Sequence, residues 1–421
     1  MLRILDLRRG DEVPARGRAA LDPEVLAGAH FIVERVRAEG DAALIELTRT
    51  HDDADVSSGL RVRGEEIAAA AERLDATLHA ALAAMAERLR DLHERQLPRP
   101  WEAERGGVRY GEVVRPLASV GCYVPGGRAS YPSSVLMTVV PAVVAGVERV
   151  ALCTPPAPDG TVPDPVLVAA GLGGATEIYR VGGAQAIAAL AHGTESIPPV
   201  AKIVGPGNAW VTAAKREVAG DVGIDALAGP TELAIVADDT ADPKVLAVDL
   251  VAQAEHDPQA RTWLVCLEPE VAIEVAEPLR AEVEASPRRA IVEEAIGHAV
   301  AIVVPDLDSA AATIDVLAPE HLQVLTADPR ALLDRLPPFG AAFLGPHTPV
   351  SLGDYGVGSN HVLPTMATAR FGSGLRAAEL VTVSSVVEAS AEGLAAVGDE
   401  VIAVARAEGL DAHARAVEVR R

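Results

Sequence analysis

Apolar positions along the chain change their period near residue 119. From Glu24 to Thr50 and from Gly64 to Gln96 they recur every three to four residues, which predicts long amphipathic helices. The second run (EEIAAAAERLDATLHAALAAMAERLRDLHERQ) is rich in Ala and Leu, so its His79 and His93 read as solvated or packing residues. From Ser119 to Gly220 short β-branched runs alternate with helical ones: VGCYV, SVLMTVVPAVVAG, VALCT, PVLVAAGL, EIYRV, AQAIAALA, AKIVG and NAWVTAAKREVAG. A second alternation starts at Glu232 with ELAIVA, then a helix from Pro243 to His256, TWLVCL, helices through Val300, AIVVP, a helix before Pro319, LQVLT, a helix around Leu332, and AAFLG. Apolar strands alternating with helices predict parallel pairing through crossovers, hence two Rossmann-like doubly wound α/β modules. Residues 1–22 read as a weakly periodic arm, the early helices as packing onto the later module, and the tail from Ala377 as helical.

Composition narrows the possibilities. With 421 residues and 49% hydrophobic content the chain can bury more than one core, and its length favours two or three domains. Its 60 acidic residues against 37 basic ones leave a formal charge of -23, which repels a polyanion, so no nucleic acid is expected as a partner. The N-terminus, MLRILDLRRGDEV, breaks its apolar run with charge and lacks a signal-peptide pattern, which points to the cytoplasm. The longest apolar stretch, Ser134 to Val147, is shorter than the roughly 20 residues a membrane span needs and contains Pro141, so it reads as a buried helix. Cys122, Cys153 and Cys266 form no CxxC pair. The last two lie in strand-like core runs, and Cys122, before a Gly-rich turn, is the one to test as a nucleophile. The lysines are Lys202, Lys215 and Lys244, none of them in a GxxxxGK[ST] context.

Against this background four separated segments each place a histidine beside a carboxylate or amide. They hold Gln253, Glu255 and His256, then Glu320 and His321, then Asp354 and His361, and last Glu408 and His413. Gln253 and His256, three apart on an expected helix, project from one face as two ligands of one ion must. A helix-terminal His opposing the dipole before Asp257-Pro258 is the plainer alternative. Glu320-His321 after Pro319 suits general-base work, or is simply an exposed polar loop. Asp354 and His361 occupy a Gly-rich loop of the kind that places site residues, whereas His413 reads equally well as a surface residue. No GxGxxG fingerprint occupies a strand-turn-helix position. The loops that could approach a dinucleotide are Pro125–Gly127 and Gly205–Asn208, the latter with Asn208 opening a helix; each also reads as an ordinary turn.

The succession GCYVPGG, VGGAQAIAALAHGTESIP, KIVGPGNAWVTAAKREV, DALAGPTELAIVAD, LVAQAEHDP, LAPEHLQV, SLGDYGVGSNHVLPT and EGLDAHARAV resembles the histidinol dehydrogenases across essentially the whole chain. That resemblance implies a homodimer whose subunit has two Rossmann-like domains, one inserted into the other, with helical N- and C-terminal extensions. On this chain it implies an arm over 1–22, a domain with the metal and catalytic residues over 23–117 and 233–374, an inserted NAD-contacting domain over 118–232, and a helical dimerisation tail over 375–421. It implies one Zn2+ per active site and oxidation of L-histidinol to L-histidine through L-histidinal with two NAD in succession.

Carried over residue by residue, the zinc ligands would be Gln253, His256, Asp354 and His413, the last from the other subunit. His321 would be the base and Glu320 would activate water. Thr231, His361 and Glu408 would line the substrate, which would also touch the four metal ligands and His321, and Tyr123, Gln185 and Asn208 would contact NAD. Two departures stand out: Thr231 where many relatives have serine, adding a methyl that could crowd the substrate, and Ser130 where some have proline. Competing readings are a sibling dehydrogenase for another small alcohol such as a sulfonate diol, a zinc hydrolase on the same ligands, and a two-lobed binding protein. His361 and Glu408 suit a cationic, imidazole-bearing substrate better than an anionic one.

Overall fold

The computed structural model describes residues 2–13, 21–126 and 130–421. In chain order its strands are β1 (Arg3–Asp6), β2 (Trp101–Arg105), β3 (Val108–Pro116), β4 (Ser119–Tyr123), β5 (Arg149–Thr154), β6 (Glu177–Arg180), β7 (Lys202–Val204), β8 (Gly223–Ile224), β9 (Glu232–Ala237), β10 (Arg261–Cys266), β11 (Val300–Val303), β12 (His321–Leu325), β13 (Ala341–Leu344) and β14 (Val381–Ala389). They form three sheets: β1-β11-β10-β9-β12-β13 and β6-β5-β4-β7-β8, both parallel throughout, and an antiparallel β14-β3-β2. Every residue of β4, β9 and β12 is buried, as expected of parallel strands covered on both faces.

The two alternations read from the sequence thus become two parallel sheets. One draws all its strands from the stretch between Ser119 and Ile224, and the other flanks that stretch with β1 on one side and β9 to β13 on the other. Four residues, RILD, are too short to show a period, so the first of these strands was legible only as an arm. The tail also differs from expectation. Val381–Ala389 is a strand paired with β3, and the helices Ala391–Ala407 and Asp411–Glu418 follow it. The segment TVSSVVE is rich in β-branched residues (Thr382, Val383, Val386 and Val387), which favours a strand over the helix expected there.

The early helices break where local chemistry stops them. Gly40, at φ 57, separates Pro23–Glu39 from Asp41–Asp52, and Asp75 caps Ala76–Glu94 through the N–H groups of Thr77 and Leu78 after Gly64–Arg73 has ended. Contrary to expectation they pack onto the five-stranded sheet. Ile32, Val33, Leu44 and Leu47 share one core with Tyr179, Ile187 and Ile203, while Leu82, Met85 and Leu89 share another with Val120 and Leu136. The cause lies in Pro132–Val144, which is apolar nearly all round and therefore needs a further helical layer outside it. Among the described residues no helix is long and apolar enough to cross a membrane.

Candidate active site

The amino-terminal ends of the adjacent strands β9 and β12 carry a linked set of polar groups. Glu320 Oε2 accepts from the Thr231 hydroxyl at 2.7 Å and from the Glu232 N–H at 2.8 Å, and Gln253 donates its amide N–H to Thr231 Oγ1 at 2.5 Å. His321 donates Nδ1–H to the Glu232 carbonyl at 3.1 Å, which leaves Nε2 as the basic atom, 3.8 Å from Asp354 Oδ1. His361 donates Nδ1–H to the Asp354 carbonyl at 3.0 Å and accepts at Nε2 from the Ser134 hydroxyl at 3.0 Å. This last bond ties the loop of the six-stranded unit to the helix Pro132–Val144 of the other, so the site lies where the two sheet units meet.

Backbone and framework groups hold the cluster in place. Ala318, in the left-handed region at φ 40, turns the chain between the helix Leu307–Leu317 and Glu320, a strained conformation for a residue with a Cβ. Gly340 lies so close that a Cβ there would meet the Glu320 carbonyl at 2.2 Å. Behind the pair, Gln323 donates to Asp249 at 2.6 Å, which pins the helix Pro243–Ala254, bearer of Gln253, to β12. His93, read as packing, is buried and accepts from Asn360 at 3.2 Å, anchoring the loop that delivers His361.

Burial dominates the electrostatics. It pushes the Glu320 carboxyl up to about 8, helped by the charges of Glu232 and Asp354 and opposed by the two hydrogen bonds to Oε2. It lowers both His321 and His361, against the attraction of the Asp354 carboxylate, so both rings are neutral bases. His256 donates Nδ1–H to the Ala252 carbonyl at 3.0 Å, which turns Nε2 away from its own helix, and it lies close enough to interact electrostatically with His361.

The sequence candidates divide into those that meet and those that do not. Thr231, Gln253, Glu320, His321, Asp354 and His361 converge within one chain, with His256 beside them. Glu408 and His413 are exposed on the C-terminal helices, which pack on each other and on β14. Among the described residues no group of three or more His, Cys, Asp or Glu is arranged to hold a metal ion within this single chain. Tyr123, Gln185 and Asn208 lie at the carboxyl ends of the five-stranded sheet. Tyr123 Oη accepts from the Gly183 N–H at 3.1 Å, and Asn208 caps Ala209–Val218 through the N–H groups of Trp210 and Val211. The loop Pro125–Gly127 ends outside the described residues, and Ser130, where the described residues resume, is exposed.

Cys122 is corrected: wholly buried, its thiol is pushed up to about 12 by desolvation, so it is no nucleophile. Lys215 is buried as well, donating to the Gly205 carbonyl at 2.6 Å and Asp225 at 2.5 Å, and so fixes the turn before Asn208. Sequence reasoning missed Ser134, Glu232, Asp249 and Gln323. At Asp249 (AVDLV) and Gln323 (HLQVL) the available signal was a polar group inside an apolar run; Ser134 and Glu232 carried no such signal.

A family model, Histidinol dehydrogenase, matches residues 16–421. The chain belongs to the histidinol dehydrogenase family. The histidinol dehydrogenase of Methanothermobacter thermautotrophicus is 47% identical over 411 residues, covering 97% of this chain and 96% of the relative. That of Geobacillus kaustophilus is 50% identical over 391 residues, covering 92% of each. The crystal structure of histidinol dehydrogenase from Elizabethkingia anophelis superposes with a TM-score of 0.94 at 32% identity, over 100% of this chain and 98% of that one. The protein is therefore an NAD-linked oxidoreductase that takes L-histidinol to L-histidine, the last step of histidine biosynthesis, and the cofactors of its family are NAD and zinc.

Proposed function

We propose that the cluster at the amino ends of β9 and β12 is the seat of both oxidations, with His321 as the base and Glu320 as the activator of water. The observation that carries this reading is the His321 geometry. Its Nδ1–H is committed to the Glu232 carbonyl and burial keeps the ring neutral, so Nε2 stands ready to take a proton beside Asp354. In the first half-reaction Nε2 accepts the hydroxyl proton of histidinol while the carbinol carbon gives hydride to NAD, yielding the aldehyde and NADH. In the second, Glu320 takes a proton from water as its oxygen adds to the aldehyde carbon. The hydrate then gives hydride to a second NAD, and the acid results. Thr231 and the Glu232 N–H hold the Glu320 carboxyl in place for this work.

The donor chemistry fits zinc. Gln253 spends its N–H on Thr231 and keeps Oε1 as an acceptor, His256 keeps a Nε2 lone pair, and Asp354 supplies a carboxylate. These three would hold the ion, with His413 of a second copy as the fourth ligand. Such a set contains only His256 and Asp354 of the His, Cys, Asp and Glu types from one chain, in keeping with the absence of a larger described cluster. When bound, zinc would grip the amine and imidazole of the substrate without changing oxidation state. Thr231, His361 and Glu408 would line the substrate alongside the metal ligands and His321. Tyr123, Gln185 and Asn208 would face NAD.

We read the assembly as a cytoplasmic homodimer of two Rossmann-like units, the unit of the five-stranded sheet, with the early helices packed on it, inserted in the other. In support, Val383, Val386 and Val387 of β14 and Val401 and Val404 of the next helix are exposed, an apolar surface of the kind a second copy covers. The test is His321→Asn: turnover should vanish while zinc content stays at that of the parent enzyme, which itself should yield two NADH per histidinol. Loss of zinc in the variant would reverse the assignment of base and ligand.

A further inference from the structure

The end of the five-stranded sheet that would receive NAD holds a carboxylate, Asp52, that the described residues compensate only in part. Asp52 ends the helix Asp41–Asp52, where the helix dipole is negative, and Asp53 behind it sits in the left-handed region at φ 52. Asp52 Oδ2 is enclosed and has no hydrogen-bond partner among the described residues. Burial raises its carboxyl to about 6, and the charge of His51 offsets this only in part. The Asp52 charge reaches the Tyr123 hydroxyl. Its helix packs on Gly183–His192, where Gln185, 2% exposed, holds Nε2 without a partner among the described residues. An unpaired acceptor and an unpaired donor therefore occupy neighbouring helices at one end of one sheet.

Water satisfies a single unpaired group, but the pair together describes a ligand that both donates and accepts. A sugar hydroxyl does both, giving its hydrogen to a carboxylate and taking one from an amide. A phosphate can only accept, and it brings like charge to the carboxylate. An acidic side chain that binds the ribose of NAD and repels the 2′-phosphate of NADP is a general device of dinucleotide sites. We propose that Asp52 is a cofactor-selecting residue, accepting hydrogen bonds from the adenosine ribose of NAD and thereby excluding NADP. This rests on the reading of Tyr123 and Gln185 as NAD contacts.

Steady-state kinetics of the zinc-loaded enzyme at saturating histidinol test the assignment, with Asp52→Asn, Asp52→Glu and Gln185→Met compared against the parent. Asp52→Asn is expected to raise KM for NAD about tenfold with kcat little changed, and to raise the NADP-to-NAD ratio of kcat/KM by about tenfold or more. Its thermal midpoint should be no lower than the parent's, because a buried charge compensated only in part is removed. Asp52→Glu should retain discrimination against NADP. If Gln185→Met raises KM for NAD while Asp52→Asn leaves KM and the cofactor ratio alone, the proposal fails and the NAD-contact reading survives. If neither variant moves KM, the NAD-contact reading falls and the proposal with it. A raised KM with an unchanged cofactor ratio and a lowered thermal midpoint would make Asp52 a structural residue and overturn its selecting role.

Discussion

Glu320 shows how one side chain can be held between two protonation states. Burial and the neighbouring carboxylates favour the acid, and the Thr231 and Glu232 donors favour the carboxylate, with the balance near 8. A base must lose its proton before it can take one from water, so oxidation of L-histidinal should accelerate as pH rises through about 8. Stopped-flow NADH formation from the aldehyde should show this limb, and Glu320→Gln should abolish it. A pH-independent aldehyde step in the parent enzyme would remove Glu320 from that role. Asp52 carries a stability signature of its own. Its folded-state pKa lies above the ordinary aspartate value, so its favourable contribution is complete below about 4 and is lost as pH rises through about 6. Asp52→Asn should therefore gain about 2 °C in Tm over the parent at pH 8, with the gap closing at lower pH, as differential scanning calorimetry can record. Both histidines of the cluster are legible in the sequence as proton-active groups beside carboxylates. Ser134 is not, because nothing local distinguishes a serine that opens an apolar helix from one that reaches across to His361.

At the scale of elements, the turn from Gly205 to Asn208 is held from three sides. Gly205 stands at φ 117 with the Tyr123 carbonyl where a Cβ would lie, its N–H donates to Asp225 at 2.7 Å, and its carbonyl accepts from Lys215. Lys215→Met would strand a buried Asp225 carboxylate, at a cost of about 3–5 kcal/mol. Urea unfolding should report that loss, and Asp225→Asn added to Lys215→Met should restore part of it. A single variant as stable as the parent would show that the pair is not what fixes this turn. Apart from the short edge strands β1 and β8, the strands of the two parallel sheets were legible because buried strands are short apolar runs between turn signals, as in VALCT and ELAIVA. β2, β3 and β14 were not, because their residues are largely exposed and lack such runs, and β14 follows a segment of helical composition. The placement of the early helices escaped for another reason. Periodicity shows that a helix has an apolar face, and only the fold shows which sheet that face meets.

Across the whole molecule, the cluster at β9 and β12 is built by residues from one chain, while Glu408 and His413 stand exposed on the C-terminal helices of the same chain. If a second copy carries them to the site, each active site needs two subunits, and defects in different subunits can complement. The most direct measurement mixes two inactive variants, Asp354→Ala and His413→Ala, under conditions that exchange subunits. It then follows NADH production from L-histidinol with zinc and NAD present. In a mixed dimer both defects fall in one site and the other is intact, so random exchange should restore activity to about a quarter of the parent's sites. Mixtures that exchange subunits yet stay inactive would contradict a site shared between them.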